Sequence, residues 1–419
     1  MYRYCTMSDD VYIGYLPLAH SFEISAEAFF FVMGIPVGYS SPYTLTDKST
    51  GMMGGCKGDA TVLRPTIMTA VPLMADRIRK GVMEATKQKS KLAQEFFQFA
   101  MDYKLFWYRK GMNTPILNSL ETHDSSGAPN DKTVHRSGTA SSFQMSLNFV
   151  ISSIRNVQRP EALRKMYVAS LLIFSKIRNM VGGRVRIMAC GGAPLSPDTH
   201  DFIRMALDVQ MLQAYGMTET AASATLMAMH DYSTGRVGAP LSKCYIKLVD
   251  WPEGNYHATD KPYSRGEIVI GGDCVSSGYF KNAELTNVSF KDEDDIRWFL
   301  TGDIGELYPD GTFKIIDRKN DLVKLQFGEY ISLGKIEAEL KTCPLVDNIC
   351  VIGNGFHDYT IALIVPNLER MNAVAKSLGK EDFPLSKLCQ DPEIISAFSK
   401  AIVQQGQKNK RFLRGAYYK

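Results

Sequence analysis

One segment, VRIMACGGAPLSPDTHDFIRMAL (Val185 to Leu207), narrows the folds open to this chain more than any other. Its apolar start, Val185 to Cys190, predicts a strand. Gly191 and Gly192 predict a turn, and Ser196 followed by Pro197 predicts a helix N-cap with proline at the first helical position. A second apolar run then opens into LQAYGMTETAAS, Leu212 to Ser223. Strand-like runs alternating with helix-like segments are the rhythm of a layered α/β protein. The same rhythm occurs upstream, where RPTIMTAVP (Arg64 to Pro72) predicts a buried strand. The residues beyond it place Met74, Ile78 and Val82 at helical spacing.

From Gly235 onward the pattern changes to short β-like runs, GEIVIGG and TFKIIDRK, with turn pairs such as Asp310-Gly311. This predicts a β-rich subdomain. Beyond Arg318, ISLGKIEAELKTCP predicts a short amphipathic helix, and DNICVIG and YTIALIVPN predict paired strands. A domain boundary near Asn320 divides the chain into a large domain over residues 1–319 and a small α+β domain over 320–419. Residues 119–168 begin with a Ser-, Thr-, Asn- and Gly-rich stretch and read as a disordered insertion.

Composition excludes several function classes. The chain has 419 residues, 45% of them hydrophobic, enough for a substantial core. A net charge of +4 gives no basic face for nucleic acid. The eight cysteines form no C-x-x-C pair, which argues against a zinc site or a disulfide framework and for a reducing compartment. No apolar run approaches the roughly 18 to 20 residues of a membrane span. The start, MYRYCTMSDD, has no signal-peptide apolar region, so the chain reads as soluble or peripheral.

The two glycine-containing loops carry the chemistry. Ligands of open α/β sheets bind beyond the carboxyl ends of strands, so Gly191-Gly192-Ala193-Pro194 and Tyr215-Gly216-Met217-Thr218-Glu219 could face one ligand. Glycine lets the backbone approach a ring or a phosphate closely. An aromatic can cover a nucleobase, threonine can donate to a phosphate oxygen, and a carboxylate suits Mg²⁺. Asp303, read as part of a Thr-Gly-Asp turn, offers acceptors to a ribose diol, and Arg318 offers a planar donor fork. The four residue types point to a nucleotide. Singly, each loop has a bland alternative: a strand-to-helix turn, a core aromatic, a surface ion pair between Asp303 and Arg318.

The blocks YIGYLPLAH, VGYSSPYTLTDKS, GGAPLSPDTH, AYGMTETAA, TGRVGAPL, RGEIVIGG, GYFKN, RWFLTGDIGEL and IIDRKNDLVKLQFGEYISLGKIE occur in that order. Through them the chain resembles the long-chain fatty-acid–CoA ligases of the acyl-adenylate-forming superfamily. The resemblance covers most of Tyr12 to Asn367 outside residues 119–168, and GYSSP and GEYISLGKIE are specific to the long-chain branch. It implies an adenylate-forming large domain and a partial C-terminal domain. It also implies ATP-dependent activation of long-chain fatty acids to acyl-CoA, with ATP and coenzyme A as co-substrates and Mg²⁺ as cofactor. Residue by residue, it implies that Tyr215 stacks on adenine and that Thr218 contacts the α-phosphate. Glu219 coordinates Mg²⁺, residues 191 to 194 with Gly216 border the nucleotide, and Asp303 and Arg318 hold the ribose. His20 falls near the acyl pocket and Asn320 at the interdomain hinge.

The family's phosphate loop belongs upstream of YLPLAH, where only MYRYCTMSDD stands, and its adenylation lysine has no match in KNKRFLRGAYYK. The expectation is therefore a chain incomplete at both ends and impaired in activity. An aryl- or medium-chain CoA ligase is a sibling reading, against which the long-chain blocks argue. A non-catalytic nucleotide- or lipid-binding derivative is a reading of another class. The resemblance further implies peripheral association with the cytoplasmic face of intracellular membranes, either endoplasmic reticulum or mitochondrial outer membrane.

Overall fold

The structure is a computed structural model that describes residues 9–109, 174–229, 231–326, 330–354, 356–408 and 417–418. Residues 119–168, read above as an insertion, lie outside them. The first sheet takes β1 (Tyr12–Gly14), β2 (Val37–Tyr39), β3 (Ile67–Ala70), β4 (Ile187–Cys190), β5 (Gln210–Tyr215), β6 (Thr225–Leu226) and β7 (Ala239–Pro240), in the order β2-β1-β3-β4-β5-β6-β7. The first five are parallel and the last two antiparallel. Alternation along the strands sorts their side chains onto two faces. Tyr12, Ile67, Ile187 and Leu212 join Phe30 in one core, while Ile13, Met68, Met188 and Met211 join a larger core on the other side.

Helices supply the covering layers. α1 (Ser21–Val32) stacks Phe30 on Tyr12 with ring centroids 4.3 Å apart. After the short α2 (Asp59–Leu63), the opposite face is covered by α3 (Pro72–Lys87), α4 (Lys91–Tyr108) and α5 (Pro197–Leu207). In α3 the buried positions are Pro72, Ala75, Ile78 and Val82, the spacing of a helix with one inward stripe. α5 starts where Ser196 and Pro197 predict. The Ser196 hydroxyl accepts from Thr199 N at 3.2 Å, satisfying one of the free N–H groups of the first turn. All of α5 from Thr199 to Leu207 is buried, so its polar side chains need partners inside. Arg204 finds them in the carbonyls of Met211, Asp231 and Ser233, tying the loop after β6 to the strand before it.

The β-rich region forms a second, antiparallel sheet, with α6 (Ala283–Ser289) lying along the chain just before one of its strands. Its strands are β8 (Cys244–Val249), β9 (Ser264–Gly272), β10 (Phe290–Glu293), β11 (Ile296–Leu307) and β12 (Phe313–Arg318). GEIVIGG and TFKIIDRK are thus strands β9 and β12, which both pair with β11. The two sheets meet at Gly238, where Val237 N donates to Phe313 O and Phe313 N to Gly238 O, each at 2.8 Å. Gly238 has φ +85°, and a Cβ there would lie 2.1 Å from Leu226 O, so the junction admits glycine alone.

One expectation is corrected here. Asp303 is not in a turn: it lies inside the twelve-residue strand β11, at an irregularity between Leu300 and Ile304 in the pairing with β9. Gly302 takes φ +70° there. Thr301 Oγ1 accepts from Asp303 N at 3.0 Å and donates to Ile268 O at 2.7 Å, while Glu267 accepts from Gly302 N at 3.0 Å. Side chains thus replace the missing ladder bonds, and the bulge turns Asp303 inward.

The chain leaves the second sheet at Arg318. The remaining elements are β13 (Leu322–Lys324), β14 (Tyr330–Ser332), α7 (Leu333–Leu340), β15 (Val346–Ile352), β16 (Tyr359–Pro366), α8 (Leu368–Ser377), α9 (Leu385–Leu388), α10 (Pro392–Lys408) and β17 (Tyr417–Tyr418). β15 and β16 pair antiparallel, and α7 packs with them in a core of its own around Ile336, Leu340 and Val346. Two polar contacts tie this region to α3: Arg370 with Glu84 at 2.9 Å and Lys80 with Val346 O at 3.0 Å. Among the described residues no helix is long and apolar enough to cross a membrane.

Candidate active site

The carboxyl ends of β4 and β5 are neighbours, because Cys190 and Gln213 are register partners. The loop after β4 lies flush against β5: a Cβ at Gly191 would sit 3.3 Å from Ala214 O. Gly192 takes φ +82° with open space beside it. The loop after β5 folds back on itself so tightly that a Cβ at Gly216 would lie 2.3 Å from Ala222 O. Ala222 N donates to Met217 O at 2.8 Å, and buried Thr220 accepts from Met217 N at 3.2 Å. Thr220 is therefore the threonine that holds the turn. Thr218, exposed, faces a cleft of about 210 Å³.

That cleft is lined by His20, Ser21 and Phe22 at the start of α1, by Gly191 and Gly192, by the 214–219 turn, and by Arg318. His20 is also the N-cap of α1, where its Nδ1 accepts from Phe22 N at 3.2 Å. In the neutral ring the proton then sits on Nε2. Ala193 and Pro194 continue the 191–194 loop, exposed and outside the lining. Asn320 is exposed in the short turn between β12 and β13, also away from the lining.

Asp303 stands behind the cleft rather than in its wall. Its carboxylate is 3% exposed and held from both sides: Tyr215 Oη donates to Oδ2 at 2.8 Å and Arg318 Nε to Oδ1 at 2.7 Å. Burial pushes the Asp303 carboxyl above its ordinary range, against the pull of Arg318 and Tyr215. Burial, and then the Asp303 charge, push the Tyr215 phenol up, so it remains a donor. The first sheet's Tyr215 and the second sheet's Asp303 and Arg318 are one hydrogen-bonded unit.

Glu219 is half-buried, and its Oε1 accepts from Tyr279 Oη at 2.8 Å while its carbonyl accepts from Ser276 N at 2.8 Å. Tyr279 has no role in the sequence reading, although it stands in the quoted GYFKN block. Gly278 before it takes φ +134°, and a Cβ there would lie 2.4 Å from Thr286 Cγ2, so this corner favours glycine. Among the described residues no group of three or more His, Cys, Asp or Glu side chains gathers as metal ligands. The donor set is one carboxylate beside the Thr218 hydroxyl. That fits a magnesium ion held by one carboxylate and substrate phosphates, and it does not fit an all-protein cage.

Residues 1–280 match the family model of AMP-binding enzymes. Long chain acyl-CoA synthetase 8 of Arabidopsis thaliana is 41% identical over 96% of this chain and 50% of its own length. Long-chain-fatty-acid–CoA ligase 1 of Schizosaccharomyces pombe is 34% identical over 90% of this chain and 47% of its own. The chain thus spans about half the length of these curated relatives. Among solved structures, the A domain of carboxylic acid reductase from Segniliparus rugosus, in complex with AMP and a co-purified carboxylic acid, aligns with a TM-score of 0.58 at 23% identity. That alignment takes in 99% of this chain and 50% of the other. The o-succinylbenzoate CoA synthetase of Bacillus subtilis aligns at 0.51 and 18% identity, over 91% of this chain and 57% of the other. Both share the layered α/β fold. With two strand-end loops and a cross-sheet Tyr-Asp-Arg unit around one cleft, and the match running through all of them but the last two residues, this chain belongs to the AMP-binding enzyme family.

Proposed function

We propose that this chain is the nucleotide-binding part of a long-chain fatty-acid–CoA ligase that activates its substrate through an acyl-adenylate. The observation that carries the reading is the joining of Tyr215, Asp303 and Arg318 by bonds of 2.8 and 2.7 Å beside the Gly191, Gly192 and Gly216 backbone. A fatty carboxylate is a poor electrophile. Joined to AMP with release of pyrophosphate, it becomes one that the thiol of coenzyme A can attack.

In this reading the Tyr215 ring covers adenine and the glycines leave room for it. Asp303 uses two of its roughly four acceptor positions on Tyr215 and Arg318, which leaves the others for ribose hydroxyls. Arg318, with 57% of its side chain exposed, is the partner able to swing aside and admit them. Thr218 donates to the α-phosphate, and Glu219, oriented by Tyr279, holds Mg²⁺. When bound, the metal neutralises phosphate charge as it builds up. His20 faces the acyl carboxylate side with Nε2–H as a donor, and Asn320 serves as the hinge. A lipid product also supports peripheral attachment to the cytoplasmic face of intracellular membranes, which fractionation of tagged protein would test.

Calorimetry with AMP, and with a non-hydrolysable palmitoyl-adenylate analogue, tests the reading on the chain as it is. The analogue is expected to bind more tightly than AMP, and Tyr215→Ala to weaken both about 5- to 150-fold, the range of one lost base–aromatic stack. Equal affinity of the analogue and AMP would remove the acyl half of the reading. Absence of AMP binding at millimolar concentration would remove all of it.

A further inference from the structure

Cys244 opens β8, and its cross-strand partner is Gly272, the last residue of β9; Cys274 lies two residues further on. The two sulfurs are 3.4 Å apart, and both cysteines are free thiols. Cys244 is buried and Cys274 half-buried, so a small reagent meets Cys274 first. The backbone holds the pair close. Gly272 takes φ +117°, and a Cβ there would lie 2.2 Å from Lys243 O. A disulfide requires about 2.05 Å between sulfurs, so the pair closes with a movement of about 1.4 Å, within reach of side-chain rotation and a small backbone shift.

We propose that Cys244 and Cys274 are an oxidative modification site, at which a small disulfide such as oxidised glutathione converts the two thiols into an internal disulfide. The Cys274 thiolate attacks one sulfur of the oxidant, forms a mixed disulfide and releases one glutathione thiolate. Cys244 gives its proton to solvent and attacks the Cys274 sulfur, expelling the second glutathione. Two protein thiols are oxidised and one external disulfide is reduced to two thiols. Burial and the Cys244 contact push the Cys274 thiol up to about 12, so thiolate is scarce at neutral pH.

The position of the pair gives the modification a target. Cys274 begins the segment that holds Glu219, through Ser276 N to the Glu219 carbonyl and Tyr279 Oη to its carboxylate. Drawing Cys274 toward Cys244 pulls on that segment, and so on the turn from Met217 to Ala222.

The test is to incubate the chain with oxidised glutathione at mildly alkaline pH, alkylate the remaining thiols, and map the digest by mass spectrometry. The expected product is a cross-linked Cys244–Cys274 peptide lighter by two hydrogens, restored by dithiothreitol and absent from Cys274→Ser. If exposed Cys56 and Cys350 carry glutathione while Cys244 and Cys274 are both alkylated, or Cys274 stops at a mixed disulfide, the proposal is overturned. Amide exchange read in parallel is expected to change across residues 217–222 on oxidation of the wild type and not of Cys274→Ser. Unchanged exchange in the cross-linked wild type would overturn the coupling to Glu219. Neither readout depends on ligand binding or turnover.

Discussion

Replacing Tyr215 with phenylalanine removes one oxygen and leaves the ring among Ala224, Val237, Ile268, Ile270 and Phe313. The apolar contribution is therefore conserved, and the change removes the 2.8 Å bond to Asp303 together with the contact of the hydroxyl with Thr301. A hydrogen bond to a charged group is worth about 1.5–3 kcal/mol, and Asp303 at 3% exposure has no water to replace the donor, so a cost of about 2 kcal/mol is expected at neutral pH. The pH dependence has a definite sign. Asp303 has a folded-state pKa above its ordinary value, so its contribution is fully present below the unfolded value and is lost as pH rises through the folded one. Tyr215 offsets part of that loss by donating to the ionised form. The variant should then fall away from wild type as pH rises, and the gap should narrow toward about 1 kcal/mol where Asp303 is protonated, the worth of a neutral hydrogen bond. Trp251 and Trp298, beside and within the second sheet, report its unfolding in urea by fluorescence. A cost below about 0.5 kcal/mol at neutral pH, under the usual floor for a buried hydrogen bond, would refute the argument.

Two further outcomes are expected. Glu23 is fully buried, and burial raises its pKa from 4.5 to about 6 against the donors Tyr12 and Thr69. Its stabilising contribution is present below 4.5 and lost as pH rises through about 6, about 2 kcal/mol in all. Glu23→Gln should flatten the profile of unfolding midpoint against pH over that interval, and an unchanged slope would contradict the assignment. Gly216→Ala drives a methyl group to 2.3 Å from Ala222 O, so AMP affinity should fall at least about tenfold, for a misplaced turn, while circular dichroism stays native. Affinity within about threefold of wild type, a difference of under 1 kcal/mol, would count against the turn as the binding element.

The features legible in the sequence are those made by neighbours in the chain. Ser196, Pro197 and the apolar run before Gly191 announce their strand, turn and helix because capping and turn chemistry act over three or four residues. The β15–β16 pair is legible for the same reason. The error at Asp303 has the opposite origin. Thr301, Gly302 and Asp303 have turn composition, but β9 pairs with β11 on both sides of them and carries the strand through. Likewise Tyr279 meets Glu219 across 60 residues and Tyr215 meets Asp303 across 88, distances over which no local pattern operates. The motif blocks contain Tyr215, Glu219, Tyr279, Asp303 and Arg318, but do not say which of them touch.

The cross-sheet unit also sets an order of events during synthesis. The seven-stranded sheet can be complete once residue 240 has emerged, yet the acceptor for Tyr215 is still 63 residues away and Arg318 a further 15. Domains fold as the chain leaves the ribosome, N-terminal parts first. Through that interval the Tyr215 hydroxyl lacks the Asp303 carboxylate and the cleft lacks Arg318 from its lining. A nucleotide bound at the proposed site would therefore stabilise only those nascent chains whose second sheet has already docked, acting on the late step of folding and not on the early one.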